Sequence, residues 1–365
     1  MQSLRDFQIL GRFAEAINDA FHLRRFIPSK LTAKFTASIA VMRFLVPLLS
    51  IVLLISCSQH NEEFAEPLNY VNPFIGTGGH GHTYPGATMP FGMVQLSPDT
   101  RLEGWDGCGG YHYSDSLIYG FSHTHLQGTG ISDYGDILFM PTNSTIHQEG
   151  TNWGERYRSA FRKENEKAEA GYYSVLLDDH DMLVELTATQ RVGIHRYTPQ
   201  NPQDSITLFV DLEHRDNLIE YSFYELNDSI LVGHRISREW AEEQHIYFAA
   251  VFSEPYHYND QTFEYSQEID PLSGDTTLVQ EYVAVFPIVF DPCKELIVRV
   301  GLSPTGIQGA VDNLFAEAPH GNFDTYKTAA QETWKKELSK IQIKGGSEDE
   351  KTNFYTALYH SLTVP

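Results

Sequence analysis

Residues 182–212 read MLVELTATQRVGIHRYTPQNPQDSITLFVDL. Apolar and polar residues alternate through MLVELTAT (182–189) and again through VGIHRYT (192–198). A period of two sends successive side chains to opposite faces, which is the signature of a half-buried strand. The Pro, Asn, Gln and Asp cluster at 199–204 then breaks the run, and SITLFVDL (205–212) starts another. The same grammar continues outward in DSILVGHRIS (228–237), HIYFAAVF (245–252), YVAVFPIVF (282–290) and ELIVRVGLS (295–303). No helical periodicity interrupts the strands, so βαβ units are excluded and a sandwich of two broad antiparallel sheets is predicted.

Past Pro304 the period changes. FDTYKTAAQETWKKELSKI (323–341) places Tyr326, Ala330, Trp334, Leu338 and Ile341 on one helical face. GGSEDEKTNFYTALYHSL (345–362) opens with Ser347 and Glu350, a capping box, and its expected apolar face is Phe354, Ala357, Leu358 and Ser361 or Leu362. Such a stripe must be buried somewhere, either on the sandwich or against further helices.

The chain has 365 residues, enough for two domains or one large β domain with appendages. Its formal net charge of −22 argues against nucleic acid, which needs a concentrated basic face. MRFLVPLLSIVLLISCS (42–58) has a basic start at Arg43, an apolar middle of signal-peptide length and a lipobox-like end at Cys57. Residues 42–57 are therefore expected to be a lipoprotein signal peptide, Cys57 the lipidated residue, and 1–41 a misassigned upstream start. The expected location is the periplasm or cell surface, on an outer-membrane lipoprotein. Cys108 and Cys293 then either pair or remain free thiols.

The glycine-rich stretch NPFIGTGGHGHTYPGATMPFG (72–92) lacks the spacing and the lysine of a phosphate loop, and a Pro-rich segment follows it rather than a helix. His80 and His82, like His123 and His125, are spaced as H-x-H, usable by zinc or iron on a strand, but no third ligand pattern supports them. GWDGCGGYHYSDS (104–116) joins an indole to hydroxyls and carboxylates, the composition of a sugar subsite. No nucleophile motif is present, and Asp99, Asp106, Asp133 and Asp136 offer no acid–base pair that spacing alone can choose.

YVNPFIGTGGHGHTYPGATMPFGMVQLSPDT (70–100), GWDGCGGYHYSD (104–115) and GFSHTHLQGTGISDYGDILFMPT (120–142) resemble the N-terminal domain of glycoside hydrolase family 92. AGYYSVLLDD, ELTATQRVGIHRYT, VGLSPTGIQGAVDNL and FYTALYHSL extend the likeness from Tyr70 to Pro365. The resemblance implies a calcium-dependent, inverting exo-α-mannosidase acting on N-glycans or mannans. It also implies a mainly β fold: a mutarotase-like β-sandwich (supersandwich) at 67–310, linker helices at 311–345, and the start of an (α/α)6 catalytic barrel at 346–365. The family's acid, base and most calcium ligands lie in that barrel, so no catalytic or metal-binding residue is assigned here. The resemblance carries substrate binding onto Gly79, His80, Trp105 and Asp106, with Trp105 as the wall of the leaving-group subsite. The expected partners are mannose-containing glycans, the missing barrel and, through Cys57, a membrane. The chain is expected to be truncated and inactive alone; the alternatives are a separately encoded barrel or a non-catalytic mannoside-binding surface lipoprotein.

Overall fold

The computed structural model describes residues 64–143, 153–258 and 283–364, and the backbone of strands Phe263–Ile269 and Thr276–Tyr282. The expectations for 1–41, for the signal peptide at 42–57 and for Cys57 lie outside the described residues.

Two antiparallel sheets form the predicted sandwich. The larger has eight strands, in spatial order Asn217–Asn227, Ile230–Arg238, Gln244–Phe252, Leu296–Ser303, Val192–Pro199, Met182–Ala188, Tyr172–Leu177 and Glu166–Glu169. The other has seven: Ala87–Thr88, Gln95–Asp99, Gly120–Ser122, Leu138–Thr142, Ile206–Asp211, Val285–Phe290 and Tyr256–Tyr258. Alternation decides the faces. Val184, Leu186, Tyr197, Val298 and Val300 share one buried core with Leu138, Met140, Leu208, Val210 and Ile288 of the opposite sheet. Asn217–Asn227 escapes sequence detection because it is an edge strand, and Ile219, Tyr224 and Leu226 on it stay exposed.

The intervening residues of the larger sheet point outward and are covered by helix α1, Ile307–Glu317. Ala310 and Leu314 pack on Val192, Ile194, Ala249 and Ile297. Helix α2, Phe323–Leu338, buries Ala330, Trp334 and Leu338 of the expected stripe, together with Phe323. Tyr326 is half-buried, whereas Ile341 lies beyond the helix end and is exposed. Trp334 fills the joint: its ring is 4.5 Å from that of Tyr359, and its indole N–H donates to the Thr88 carbonyl at 2.8 Å. No described helix is long and apolar enough to cross a membrane.

Helix α3, Glu348–Ser361, starts with the predicted capping box between Ser347 and Glu350. Its buried face departs from the expected one. Tyr355, Thr356 and Tyr359 are buried, Phe354, Ala357 and Ser361 are exposed, and Leu358 and Leu362 are half-buried. The true face is rotated by one residue, about 100°. Hydroxyls make the difference. Tyr355 stacks on Tyr70 while its hydroxyl donates to the Ile341 carbonyl at 3.2 Å, and Thr356 accepts from the Asn72 amide at 3.0 Å. Rings and hydroxyls with partners are cheaper to bury than a count of aliphatic residues suggests.

Candidate functional site

Segments far apart in the chain meet around Trp105. The residue begins a single 3-10 turn, Trp105–Gly107, entered through Gly104 at φ 81°. Its indole is 61% exposed, too much for a packing residue of its size. The ring is nevertheless held at its rim. His82 meets it edge-on, 5.0 Å between centroids and 69° between planes. At Gly130 the backbone passes so close that a Cβ would overlap the indole. Glycine there is a requirement of contact.

The glycine-rich loop supplies the neighbours. Buried His82 bonds through Nδ1 to the Thr129 carbonyl, tying the loop to the segment that carries Gly130. Gly79 adopts φ 62° and has open space where a side chain would go, so its backbone angle, not crowding, demands glycine. Its carbonyl is bonded by His112 Nε2 at 3.0 Å. The next residue, His80, is 86% exposed at its side chain, yet its Nδ1 lies 2.9 Å from Asp106 Oδ1. That hydrogen bond holds the Asp106 carboxyl below the usual carboxylate range.

Beneath the turn lies a buried charge cluster. Arg215 donates through Nη2 to the Gly107 carbonyl at 2.9 Å and to Ser132 Oγ, and its Nη1 is 3.7 Å from Asp99. Asp99 also accepts from Ser122 Oγ at 2.5 Å and has His125 and His214 at 3.4 and 3.5 Å. Burial by itself would raise the Asp99 carboxyl, but His125 and His214 bring it well below the carboxylate range. The ionised cluster anchors both the Trp105 turn and the loop after Gly130.

The structure thus brings Gly79, His80, Trp105 and Asp106 together on one patch of the surface, and it directs His82, His123 and His125 inward. His123 Nδ1 lies 2.6 Å from the Ile137 carbonyl and so carries its proton there. Its bare Nε2 accepts from His195 Nε2 at 3.0 Å, and His195 Nδ1 accepts from the Tyr197 hydroxyl at 2.8 Å. Every polar atom of this relay is satisfied with both rings neutral. His125 braces through the Gln95 carbonyl at 2.7 Å. Cys108 and Cys293 are free thiols, and Cys108 donates to the Trp105 carbonyl.

Sequence reasoning missed Arg215, Gly130 and the role of Asp99. Only Gly130 carries a local cue, its place in a glycine-containing loop, and that cue does not name a ring as its neighbour. The calcium that the resemblance implies finds no fit. Among the described residues no three His, Cys, Asp or Glu side chains are grouped to hold a metal ion. Two of the buried carboxylates are already paired with cationic or histidine side chains, Asp99 as above and Asp136 with Arg235.

Chemically, an open indole face beside an ionised carboxylate and an imidazole can stack on the CH face of a pyranose and hydrogen-bond its hydroxyls. Asp106, kept ionised, suits acceptance of a hydroxyl proton in a hydrogen bond rather than proton donation.

Residues 70–303 match the glycosyl hydrolase family 92 N-terminal domain, and residues 309–365 match the glycosyl hydrolase family 92 catalytic domain. The chain belongs to glycosyl hydrolase family 92. Among family 92 structures, the α-mannosidase BT3965 from Bacteroides thetaiotaomicron, solved with mannoimidazole, is 32% identical with a TM-score of 0.70, over 82% of this chain and 40% of its own. The family 92 inverting mannosidase BT2199 from the same species is 25% identical with a TM-score of 0.65, over 84% of this chain and 40% of its own. An uncharacterized secreted glycosidase of Arthroderma benhamiae is 24% identical over 329 residues, 82% of this chain and 41% of that protein. The chain spans about two-fifths of the length of these family 92 relatives.

Proposed function

We propose that residues 64–364 build one wall of the glycan site of an α-mannosidase and bind terminal mannosides there. The observation that carries this is Trp105: an indole left 61% exposed, fixed at its rim by His82 and Gly130, and set beside the His80–Asp106 pair. Trp105 stacks on a sugar ring, Asp106 accepts from its hydroxyls, and His80 orients Asp106. Gly79 shapes the loop. Membership in a family whose solved members include α-mannosidases supports mannose as the sugar.

Within this reading, 67–310 is the binding sandwich, 311–345 links it, and 346–365 opens the catalytic domain. Bond cleavage is not assigned to the described residues, and no step runs through calcium. Attachment to the outer membrane through Cys57 and action on glycans outside the cytoplasm belong to the same proposal. A secreted relative is consistent with the latter.

Titration calorimetry of the purified chain with α-mannosides tests the binding role. Trp105→Ala should weaken affinity about tenfold, and an unchanged affinity removes Trp105 from the site. The same preparation, assayed for α-mannoside hydrolysis with and without calcium, tests whether the chain cleaves as well as binds. Turnover would show that the chain carries its own acid and base; binding without turnover fits the wall role or a mannoside-binding surface lipoprotein.

A further inference from the structure

We propose that Asp133 and Asp216 form a proton-sharing pair that latches the Trp105 turn in its seat and loosens it when the shared proton leaves. The latch stands apart from any ligand; its effect on affinity rests on the mannoside-binding reading of Trp105. Both side chains are buried, 3% and 4% exposed, and their carboxyls share a hydrogen bond. Such a bond needs one proton between the two acids. Each carboxyl also holds the backbone of another segment. Asp216 accepts from the Tyr134 amide at 2.9 Å, and Asp133 Oδ2 accepts from the Ala241 amide at 3.3 Å. Asp133 Oδ1 meets no N–H donor and is closed to solvent, so the shared proton is the donor left for it.

Among the described residues no cation replaces that proton. Arg235 carries five N–H groups, and all are committed: to the carbonyls of Leu212, His214 and Asp216, to Ser237 and to Asp136. Gln244 also donates to Asp136. The remaining ionisable neighbours are acids, Asp136 and the Tyr134 phenol, the latter pushed above its ordinary range by burial and by Asp133. Burial and these like charges lift the Asp216 carboxyl to about 7. Above that value two carboxylates face each other out of water, and separation is the relief open to them.

Separation reaches Trp105 along a short path. Gly130, Ser132, Asp133 and Tyr134 follow one another along the segment that seats the indole. Arg215 holds Ser132 Oγ, while Asp216 holds Asp133 and the Tyr134 amide. The same Arg215 closes the Trp105 turn at the Gly107 carbonyl and lies against Asp99, which His125 and His214 flank. Tyr134 and Arg215 are both non-glycine residues in left-handed backbone, at φ 73° and 65°. Such conformations persist only where surrounding contacts over-determine them. Loss of the shared proton removes a contact beside each, so the seat and the turn relax together.

Fluorine NMR of protein labelled with 5-fluorotryptophan tests the latch, with the Trp105 resonance assigned by its loss in Trp105→Phe. Wild type, Asp216→Asn and Asp133→Asn are titrated from about pH 5.5 to about pH 8.5. In each variant an amide N–H replaces the shared proton, so the pair stays closed at every pH. The Trp105 resonance should show a step near pH 7 in wild type that both variants lack. Any contribution from His80 is common to all three. Identical curves in wild type and both variants, or no step in wild type, overturn the latch. Between about pH 6 and about pH 8, wild type should also lose about tenfold more affinity for methyl α-mannoside than Asp216→Asn. Equal losses, with the step present, overturn control of binding by the pair. A step without mannoside binding at any pH overturns the mannoside reading and supports the latch.

Discussion

Arg215 reaches back across 108 residues of sequence to donate to the Gly107 carbonyl at 2.9 Å. The bond closes the turn that displays Trp105, and the same guanidinium lies 3.7 Å from buried Asp99. A planar fork lets one side chain serve a carbonyl, a hydroxyl and a carboxylate together, which an ammonium cannot do.

Arg215→Ala should therefore cost about 3 kcal/mol of unfolding free energy, because it leaves Asp99 buried with one fewer counter-charge. Arg215→Lys should cost less but still loosen the Trp105 turn. Urea unfolding measures the first effect and tryptophan fluorescence of the folded protein the second. Equal stability of Arg215→Ala and wild type would mean that His125 and His214 suffice for Asp99.

Gly130→Ala puts a methyl group where the Trp105 ring lies. The ring is at the surface and can swing away, so the stability loss should stay near 1 kcal/mol. Mannoside affinity should fall as far as in Trp105→Ala, since a displaced indole no longer stacks. Affinity unchanged from wild type would show that the seat on Gly130 is not the binding pose.

Asp216 gives a pH signature. Burial pushes its carboxyl up to about 7, with Arg235 pulling down and Asp133 and Asp136 adding to the push. In the unfolded chain it ionises near pH 4. Between those values the folded state holds the extra proton, so this group's contribution to stability falls as pH rises from about 4 to about 7. Asp216→Asn keeps an acceptor for the Tyr134 amide and offers its own N–H groups to Asp133. It should raise the melting temperature at about pH 8 and change it little at about pH 4. A shift of equal size at both pH values would exclude ionisation as the cause.

His123 and His195 act in the opposite sense over an overlapping window. Burial lowers His123 to about 4 and takes His195 well below the ordinary imidazole value. The unfolded chain binds protons on both near pH 6.5, so their contribution is full above that and is lost as pH falls toward about 4. Protonation would also place two N–H groups against each other across a 3.0 Å contact. His195→Gln should flatten the acid limb of a melting-temperature profile, and an unaltered limb would assign acid sensitivity to other groups.

Much of the fold was legible because its signals are local. Alternation located strands at 182–189, 192–198 and 205–212, where the structure has Met182–Ala188, Val192–Pro199 and Ile206–Asp211. Ser347 and Glu350 announced the start of α3, since a capping box needs only four consecutive residues. The face of α3 was misjudged, because which side is buried depends on Tyr70, Asn72 and Ile341, none of them in the helix. Residues near Trp105 could be named from composition and resemblance, but not their geometry.

The sequence by itself determined the period of each element, its caps and the family motifs, all carried by neighbours along the chain. Tertiary structure alone decided that His80 meets Asp106, that Gly130 seats Trp105, and that Asp99 remains charged in the interior. Those outcomes rest on contacts between segments 25 to more than 100 residues apart. Burial and Coulomb attraction act through space, and no spacing along the chain encodes them.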